Sequence, residues 1–149
     1  MDTKIVPGVV KEQSIATLNP ADSVMDAVNM MTERKIGAVI IVDSSARLAG
    51  IFTERDLVNR VVAKGLDAAS TPLKQVMTAN PDTLGPDDTA MNALELMSAR
   101  RYRHLPVIDG ETVVGMVSIR DLFNVVKAQL EEDLREREKF IFGSDYGVA

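Results

Sequence analysis

The sequence predicts an α/β (α+β) fold built from two pseudo-symmetric β-α-β-β-α units packed sheet to sheet. Three observations carry this. The chain repeats itself: Thr83-Leu84-Gly85-Pro86 restates Thr17-Leu18-Asn19-Pro20, and Gly115-Met116-Val117-Ser118-Ile119-Arg120-Asp121 restates Gly50-Ile51-Phe52-Thr53-Glu54-Arg55-Asp56. Internal repetition at a fixed period decides fold before local propensity does. Within each copy the apolar residues alternate between helical spacing and short continuous runs. Finally, 149 residues suffice for two small units, and neither alone covers both faces of its sheet, so the two must pack together.

In chain order, residues 1–16 are mixed, with Pro7-Gly8 marking a turn among Ile5, Val6, Val9 and Val10. Thr17-Leu18 is a short extended segment that closes at Asn19-Pro20. Asp22 or Ser23 caps a helix whose apolar stripe runs through Val24, Val28 and Met31, widened by Ala27 and Met30. Lys35-Ile36-Gly37 ends it. Ala38–Val42 is a continuous run rich in β-branched residues, as for a strand covered on both faces. Asp43-Ser44-Ser45 turns the chain, Leu48–Phe52 is the next strand, and a second helix starts over Asp56–Ala63. Residues 64–71 form a polar connector. A short helix follows through Pro72–Met77, with Pro72 in its first turn.

The pattern then restarts. Asp88, Met91, Ala93, Met97, Arg100 and Asp109 stand where Asp22, Met25, Ala27, Met31, Arg34 and Asp43 stood. After one residue is dropped in the turn, Gly115, Arg120, Asp121, Leu122 and Asn124 match Gly50, Arg55, Asp56, Leu57 and Asn59. Asp87-Asp88, between Pro86 and Thr89, reads as a helix start. The methionines at 25, 30, 31, 91 and 97 read as core, since Met fills irregular gaps. The last helix runs over residues 121–140, apolar through Leu122, Val125, Val126, Gln129 and Leu130 and charged from 131 to 139. There Glu131–Arg135 and Asp133–Arg137 are spaced to pair at i,i+4, each for about 0.2–0.5 kcal/mol. Phe140, Phe142 and Tyr146 crowd the final stretch, so the tail is expected to dock on the domain or on a second chain.

Composition narrows the function classes. Hydrophobic residues make up 46% of the chain, enough for a sizeable core, but aromatics are 4% and Trp is absent, so that core is aliphatic. The net charge of −5 argues against a sequence-independent nucleic-acid binder, although it leaves room for a local basic pocket. The absence of cysteine removes disulfides, thiolate zinc sites and cysteine nucleophiles. The single histidine, His104, has neither a metal-ligating cluster nor a nucleophile placed beside it, so no enzyme and no metal site is expected. No apolar run approaches a membrane span, and Met1-Asp2-Thr3-Lys4 lacks the start of a signal peptide. A cytoplasmic protein is the expectation.

The repeated junction carries the chemistry. Each copy reads as a buried strand end, a small hydroxyl residue, a turn, and an acidic residue opening a helix. Thr53 with Asp56, and Ser118 with Asp121, set a hydroxyl and a carboxylate three residues apart where a helix N-terminus also offers its N–H groups to phosphate. Either carboxylate can also act as a helix cap, and the two roles are compatible.

These repeats resemble a pair of CBS domains, the unit also called a Bateman module. The resemblance rests on the doubled G-h-h-[ST]-x-x-D junction (h apolar) and on Leu105-Pro106-Val107-Ile108-Asp109, and it covers nearly the whole chain. It implies one CBS unit over residues 8–66, a second over 72–130 and a C-terminal extension over 131–149. It also implies a regulatory module that binds an adenosine-containing ligand (AMP, ADP, ATP, NAD(H) or S-adenosylmethionine) in clefts between the units and transmits the event to a partner. No catalytic cofactor is implied. By the resemblance, Asp56 and Asp121 hold ribose hydroxyls and Thr53 and Ser118 touch phosphate. The base lies among Thr17, Thr83, Ile36, Tyr102, Ile51 and Met116, with Thr78 on the same rim. Tyr102 reads equally as core filling.

One departure breaks the symmetry. The second repeat carries Arg100-Arg101-Tyr102-Arg103-His104 where the first has Arg34-Lys35-Ile36-Gly37-Ala38. Arg103 and His104 thus stand opposite Gly37 and Ala38, and one competent phosphate site beside a weaker or empty one is expected. A homodimer is expected, since paired modules of this kind associate through their helices. The competing reading is a ligand-free dimerisation or protein-interaction module.

Overall fold

The computed structural model describes residues 3–10 and 15–147, with side chains through Ile141. The first unit takes the predicted order, and the second takes it with its first strand reduced to a single bridge at Leu84. In the first, β1 (Thr17–Leu18) runs parallel to β2 (Ala38–Val42), β2 antiparallel to β3 (Leu48–Thr53), and β3 antiparallel to β4 (Thr78–Ala79), in the sheet order β1-β2-β3-β4. Helix α1 (Val24–Arg34) joins β1 to β2, and α2 (Glu54–Asp56) follows β3 and runs on as a wider helical turn over Leu57–Val62. After α3 (Leu73–Val76), the second unit places α4 (Ala90–Arg100) before the antiparallel pair β5 (His104–Asp109) and β6 (Thr112–Ser118), and ends in α5 (Ile119–Gly147). Leu84 bridges Val107 in parallel, as Leu18 pairs with Ile41 in the first unit.

Local chemistry explains the helix ends. Ser23, not Asp22, caps α1: its side chain accepts from Asp26 N–H while Asp26 accepts from Ser23 N–H. Asp22 instead closes the preceding turn through Asn19 N–H at 2.8 Å, and Asp88 does the same for Gly85 at 2.7 Å. Thr89 caps α4. Pro72 sits at the cap position of α3, one residue before the first turn. Helices α1 and α4 both end on a left-handed residue, Lys35 at φ 55° and Arg101 at φ 60°. Glycine normally fills such a cap.

Each unit packs its own core. Val24, Ala27 and Met31 of α1 meet Val39, Ile41, Phe52 and Val61; their counterparts Ala90, Ala93 and Met97 meet Leu105, Val107, Val117 and Leu122. Alternation along the strands turns Ala38, Ile40 and Ile51 to the opposite face, where they are also buried. Met25, read as core, is exposed.

The lead-in segments are exchanged between the units. Leu73 and Val76 of α3 lie in the first core, and Leu73 N–H donates to Asp22 O at 2.8 Å. The turn over Ile5–Val9, which contains the cis Val6–Pro7 bond, sends Ile5 and Val10 into the second core, and Ile5 N–H donates to Asp88 O at 2.7 Å. Arg55 adds a direct tie, its Nη1 donating to Arg101 O at 2.9 Å.

Helix α5 departs from expectation in three ways. It continues past residue 140 to Gly147. Phe140 is 89% exposed and Ile141 is exposed beside it, so at those two residues the tail is not docked on its own domain; the side chains of Phe142 and Tyr146 lie outside the described residues. The pairs Glu131–Arg135 and Asp133–Arg137 are not formed: Glu131 instead meets Lys127 at 4.0 Å, and Asp133 accepts from Gln129 Nε2 at 3.3 Å. Among the described residues, no helix is long and apolar enough to cross a membrane.

Candidate functional site

The two junctions fold as reciprocal helix caps. Thr53 Oγ1 accepts from Asp56 N–H at 3.2 Å, and Asp56 Oδ2 accepts from Thr53 N–H at 3.0 Å. Ser118 Oγ accepts from Asp121 N–H at 3.1 Å, and Asp121 Oδ2 accepts from Ser118 N–H at 3.2 Å. A hydroxyl at the cap and an acid three residues on is the spacing a capping box requires. The spacing therefore has a structural cause in both copies and does not by itself point to a ligand.

Beyond the caps, the two carboxylates differ. Asp56 is 8% exposed and heavily engaged: Thr78 Oγ1 donates to its Oδ1 at 3.3 Å, and Arg60 Nε lies 3.6 Å from the same oxygen. Asp121 is exposed, and among the described residues its Oδ1 has no partner. The difference is written in sequence, since α5 carries Val125 where the wider turn after α2 carries Arg60.

Both junctions open on one cleft of about 1300 Å³ between the units. It exceeds the usual 300–1,000 Å³ of a small-molecule pocket, leaving room for an extended ligand. The first unit contributes Ile36, Gly37, Ile51, Thr53 and Asp56 to its lining, and β4 contributes Thr78. The second contributes Tyr102, Arg103, His104, Met116, Ser118 and Asp121. Thr17 and Thr83 are not in the wall. Ala16 and Asp82 are, and alternation of side chains along an extended segment turns the next residue away. Ile15, Ala16, Pro81 and Asp82 were legible in principle, because they occupy matching positions just upstream of the repeated Thr-Leu.

The cleft is locally basic in an acidic chain. Arg34, Lys35, Arg55, Arg100, Arg101, Arg103 and Arg120 line it against Glu54, Asp56, Asp82 and Asp121. Arg55 spans the cleft to Arg101. His104 lies between the units, and burial holds its imidazole below the ordinary value of 6.5. Glu54 and Asp121 pull the other way, and Arg103 adds to the lowering. The ring is therefore neutral at pH 7, with one nitrogen able to accept and one to donate. Among the described residues no group of His, Asp and Glu is placed to hold a metal.

A family model for the CBS domain matches residues 4–63 and 73–128. The chain belongs to the CBS-domain family. It is 36% identical over 126 residues to the mitochondrial CBS domain-containing protein CBSX3 of Arabidopsis thaliana, covering 82% of this chain and 61% of that one. It is 32% identical over 108 residues to YhcV of Bacillus subtilis, covering 72% and 76%. Other Arabidopsis relatives are much longer, and the match spans 19% of one and 24% of another. A protein with CBS domains from Burkholderia ambifaria superposes with a TM-score of 0.79 at 34% identity, over 85% of this chain and 95% of that one. The CBS pair of protein MJ0100, solved with 5′-methylthioadenosine and S-adenosyl-L-methionine, shares the fold with a TM-score of 0.71 at 24% identity, over 78% and 91%. This chain is thus a CBS-domain pair, a regulatory module, and its two capped junctions are the corresponding strand ends of its two CBS units.

Proposed function

We propose that this CBS pair is a non-enzymatic sensor that binds an adenosine-containing nucleotide in its cleft and passes the event to a partner protein. The observation that carries the reading is the second junction. Asp121 presents an oxygen with no protein partner among the described residues at the start of a 29-residue helix, with Ser118 beside it and Arg103 and His104 in the same wall. A carboxylate accepts from both vicinal hydroxyls of a ribose, while phosphate suits helix N–H groups and cations. The first junction is the weaker or empty half, because Asp56 is occupied by Thr78 and Arg60. AMP, ADP, ATP, NAD(H) and S-adenosylmethionine are the candidates, and the adenosine compounds bound to the MJ0100 pair support the class. A ligand with unequal affinity for two arrangements of the units shifts their balance, which is what a partner would read.

The test is calorimetry and thermal shift on the full chain with AMP, ATP, NAD(H) and S-adenosylmethionine. Binding of at least one below millimolar concentration supports the reading. No heat and no change in melting temperature with any of them at millimolar concentration refutes it.

A second reading, a ligand-free dimerisation module, is favoured by a separate observation. Val58 and Val62 on the α2 side and Ile119, Phe123, Leu130 and Leu134 on α5 are exposed. A homodimer through these faces is compatible with the sensor reading, and the mass of the full chain in solution tests it.

A further inference from the structure

Asp82 has no assigned role, yet it is held firmly in the cleft wall with an unmet need. Its Oδ2 is buried and, among the described residues, has no hydrogen-bond partner. Arg100 Nη1 stands 3.7 Å away, beyond hydrogen-bond distance, and its side chain is 62% exposed, while that of Asp82 as a whole is 37% exposed. Leaving a buried acceptor unmade is unfavourable, more so when it is charged. The backbone around it is anchored on both sides. Asn80 N–H reaches Ala49 O at 3.4 Å, and Leu84 exchanges bonds with Pro106 and Ile108 at 2.9 and 2.8 Å. The carboxylate is thus presented by a pinned segment, and a swing of the loop does not relieve it.

The surroundings say what kind of group can satisfy it. Pro81 precedes it in the wall, and Arg100, its ion-pair partner, leads by one residue into Tyr102, half-buried on the same cleft. A carboxylate repels a phosphate, which has six cations elsewhere in the cleft to choose from. What fits beside Asp82 is a flat apolar ring that carries N–H donors on its edge. The matching position in the first unit is Ala16, which offers no side-chain acceptor, so only one half of the cleft makes this demand.

We propose that Asp82 is the base-reading residue of the cleft: it accepts hydrogen bonds from N–H donors on the pairing edge of a purine, adenine's exocyclic amine or guanine's N1–H and amine. This rests on the nucleotide reading above and narrows it, because a base without such donors is rejected.

The experiment is a ligand–protein cycle by calorimetry on the full chain. The ligands are AMP, GMP and purine riboside 5′-monophosphate, which has no N–H donor on its base. The proteins are the parent, Asp82→Ala and Asp82→Asn, each checked by melting curve. The expected result is that the parent binds AMP or GMP at least about tenfold more tightly than purine riboside monophosphate, as for one charge-assisted hydrogen bond. In Asp82→Ala that preference disappears while affinity for purine riboside monophosphate is unchanged. Asp82→Asn, which keeps one carbonyl acceptor and is isosteric, retains part of it. Equal binding of all three ligands by the parent overturns the assignment and leaves the nucleotide reading standing, as does a preference that survives in Asp82→Ala. Absence of binding by every ligand overturns both.

Discussion

His104 and Gly37 share one spot between the units: the imidazole Cε1 lies 3.3 Å from where a β-carbon on residue 37 would stand, and Glu54 Oε1 lies 2.9 Å from that point. Position 37 corresponds to Arg103 in the second unit, so one half carries a guanidinium where the other carries no side chain. The space this frees is where the histidine packs. Gly37→Ala is expected to melt within about 1 kcal/mol of the parent, because the Glu54 carboxylate ends a flexible chain and can swing aside, and because losing glycine's freedom in the unfolded chain offsets part of the strain. Gly37→Leu has no such escape. It should keep the fold while filling the cleft floor, and calorimetry should show nucleotide affinity lowered by about tenfold or more. Full affinity in Gly37→Leu would mean that the ligand lies elsewhere.

The buried imidazole also makes stability depend on pH with a definite sign. His104 is lowered from 6.5 chiefly by burial, so the folded protein binds its proton less readily than the unfolded chain does. The stability that goes with neutral His104 is complete above pH 6.5 and is lost as pH falls toward the folded value. In urea titrations His104→Gln should therefore lose less stability than the parent between about pH 6.5 and 5, and the two curves should run parallel at about pH 8. A phosphate bound beside the ring would raise its pKa, so the imidazole NMR titration should move to higher pH on adding ligand. An imidazole that titrates at or above 6.5 in the free protein would contradict its burial.

The two junction carboxylates should separate cleanly on substitution. Asp121→Ala removes the acid of an exposed capping box, with an expected cost of about 0.5–1.5 kcal/mol, and removes the junction oxygen that, among the described residues, has no partner. Asp56→Ala strands Thr53 N–H and Thr78 Oγ1 in a half-buried setting and takes the ion-pair partner from the half-exposed Arg60, and a larger cost of about 2–3 kcal/mol is expected. Chemical denaturation should thus rank Asp56→Ala as the less stable variant, while calorimetry should rank Asp121→Ala as the poorer binder. The reverse order in binding would move the competent half-site to the first unit.

What the sequence showed and what it hid follow from the range of the interactions involved. The repeat, the strand runs and the helix starts are local patterns, and Ala38–Val42 with its buried faces could be read directly. The position of the cleft followed from the repeat, because doubling the Thr53–Asp56 and Ser118–Asp121 junctions places them on corresponding strand ends. The exchange of lead-ins was not legible. Leu73 follows the connector like any short amphipathic turn, and only tertiary packing sends it back into the first core. The wall near β1 was read one residue late, at Thr17 and Thr83, because a two-residue strand gives no period from which to fix its facing. The junction hydroxyls looked like ligand groups because a cap and a ligand contact need the same side chain at the same spacing.

Helix α5 supplies the last prediction. Leu122, Val125 and Val126 turn inward onto the second core, and Thr3 Oγ1 reaches Gln129 at 3.2 Å where the helix leaves the domain. Ile119, Phe123, Leu130, Leu134 and Ile141 recur at steps of four and seven on another face, with Phe123 61% and Leu134 59% exposed. Residues so spaced form one stripe along a helix. An apolar stripe that its own chain does not cover favours association with a like surface. The full chain should therefore run as a dimer in size exclusion with light scattering. Phe123→Glu is expected to shift it toward monomer with little change in melting temperature at low protein concentration, because that side chain is 61% exposed on its own chain. Deleting residues 140–149 should leave the dimer formed by the Ile119–Leu134 face. A deletion that dissociates it would assign the contact to the tail instead, and a monomeric parent would refute self-association altogether.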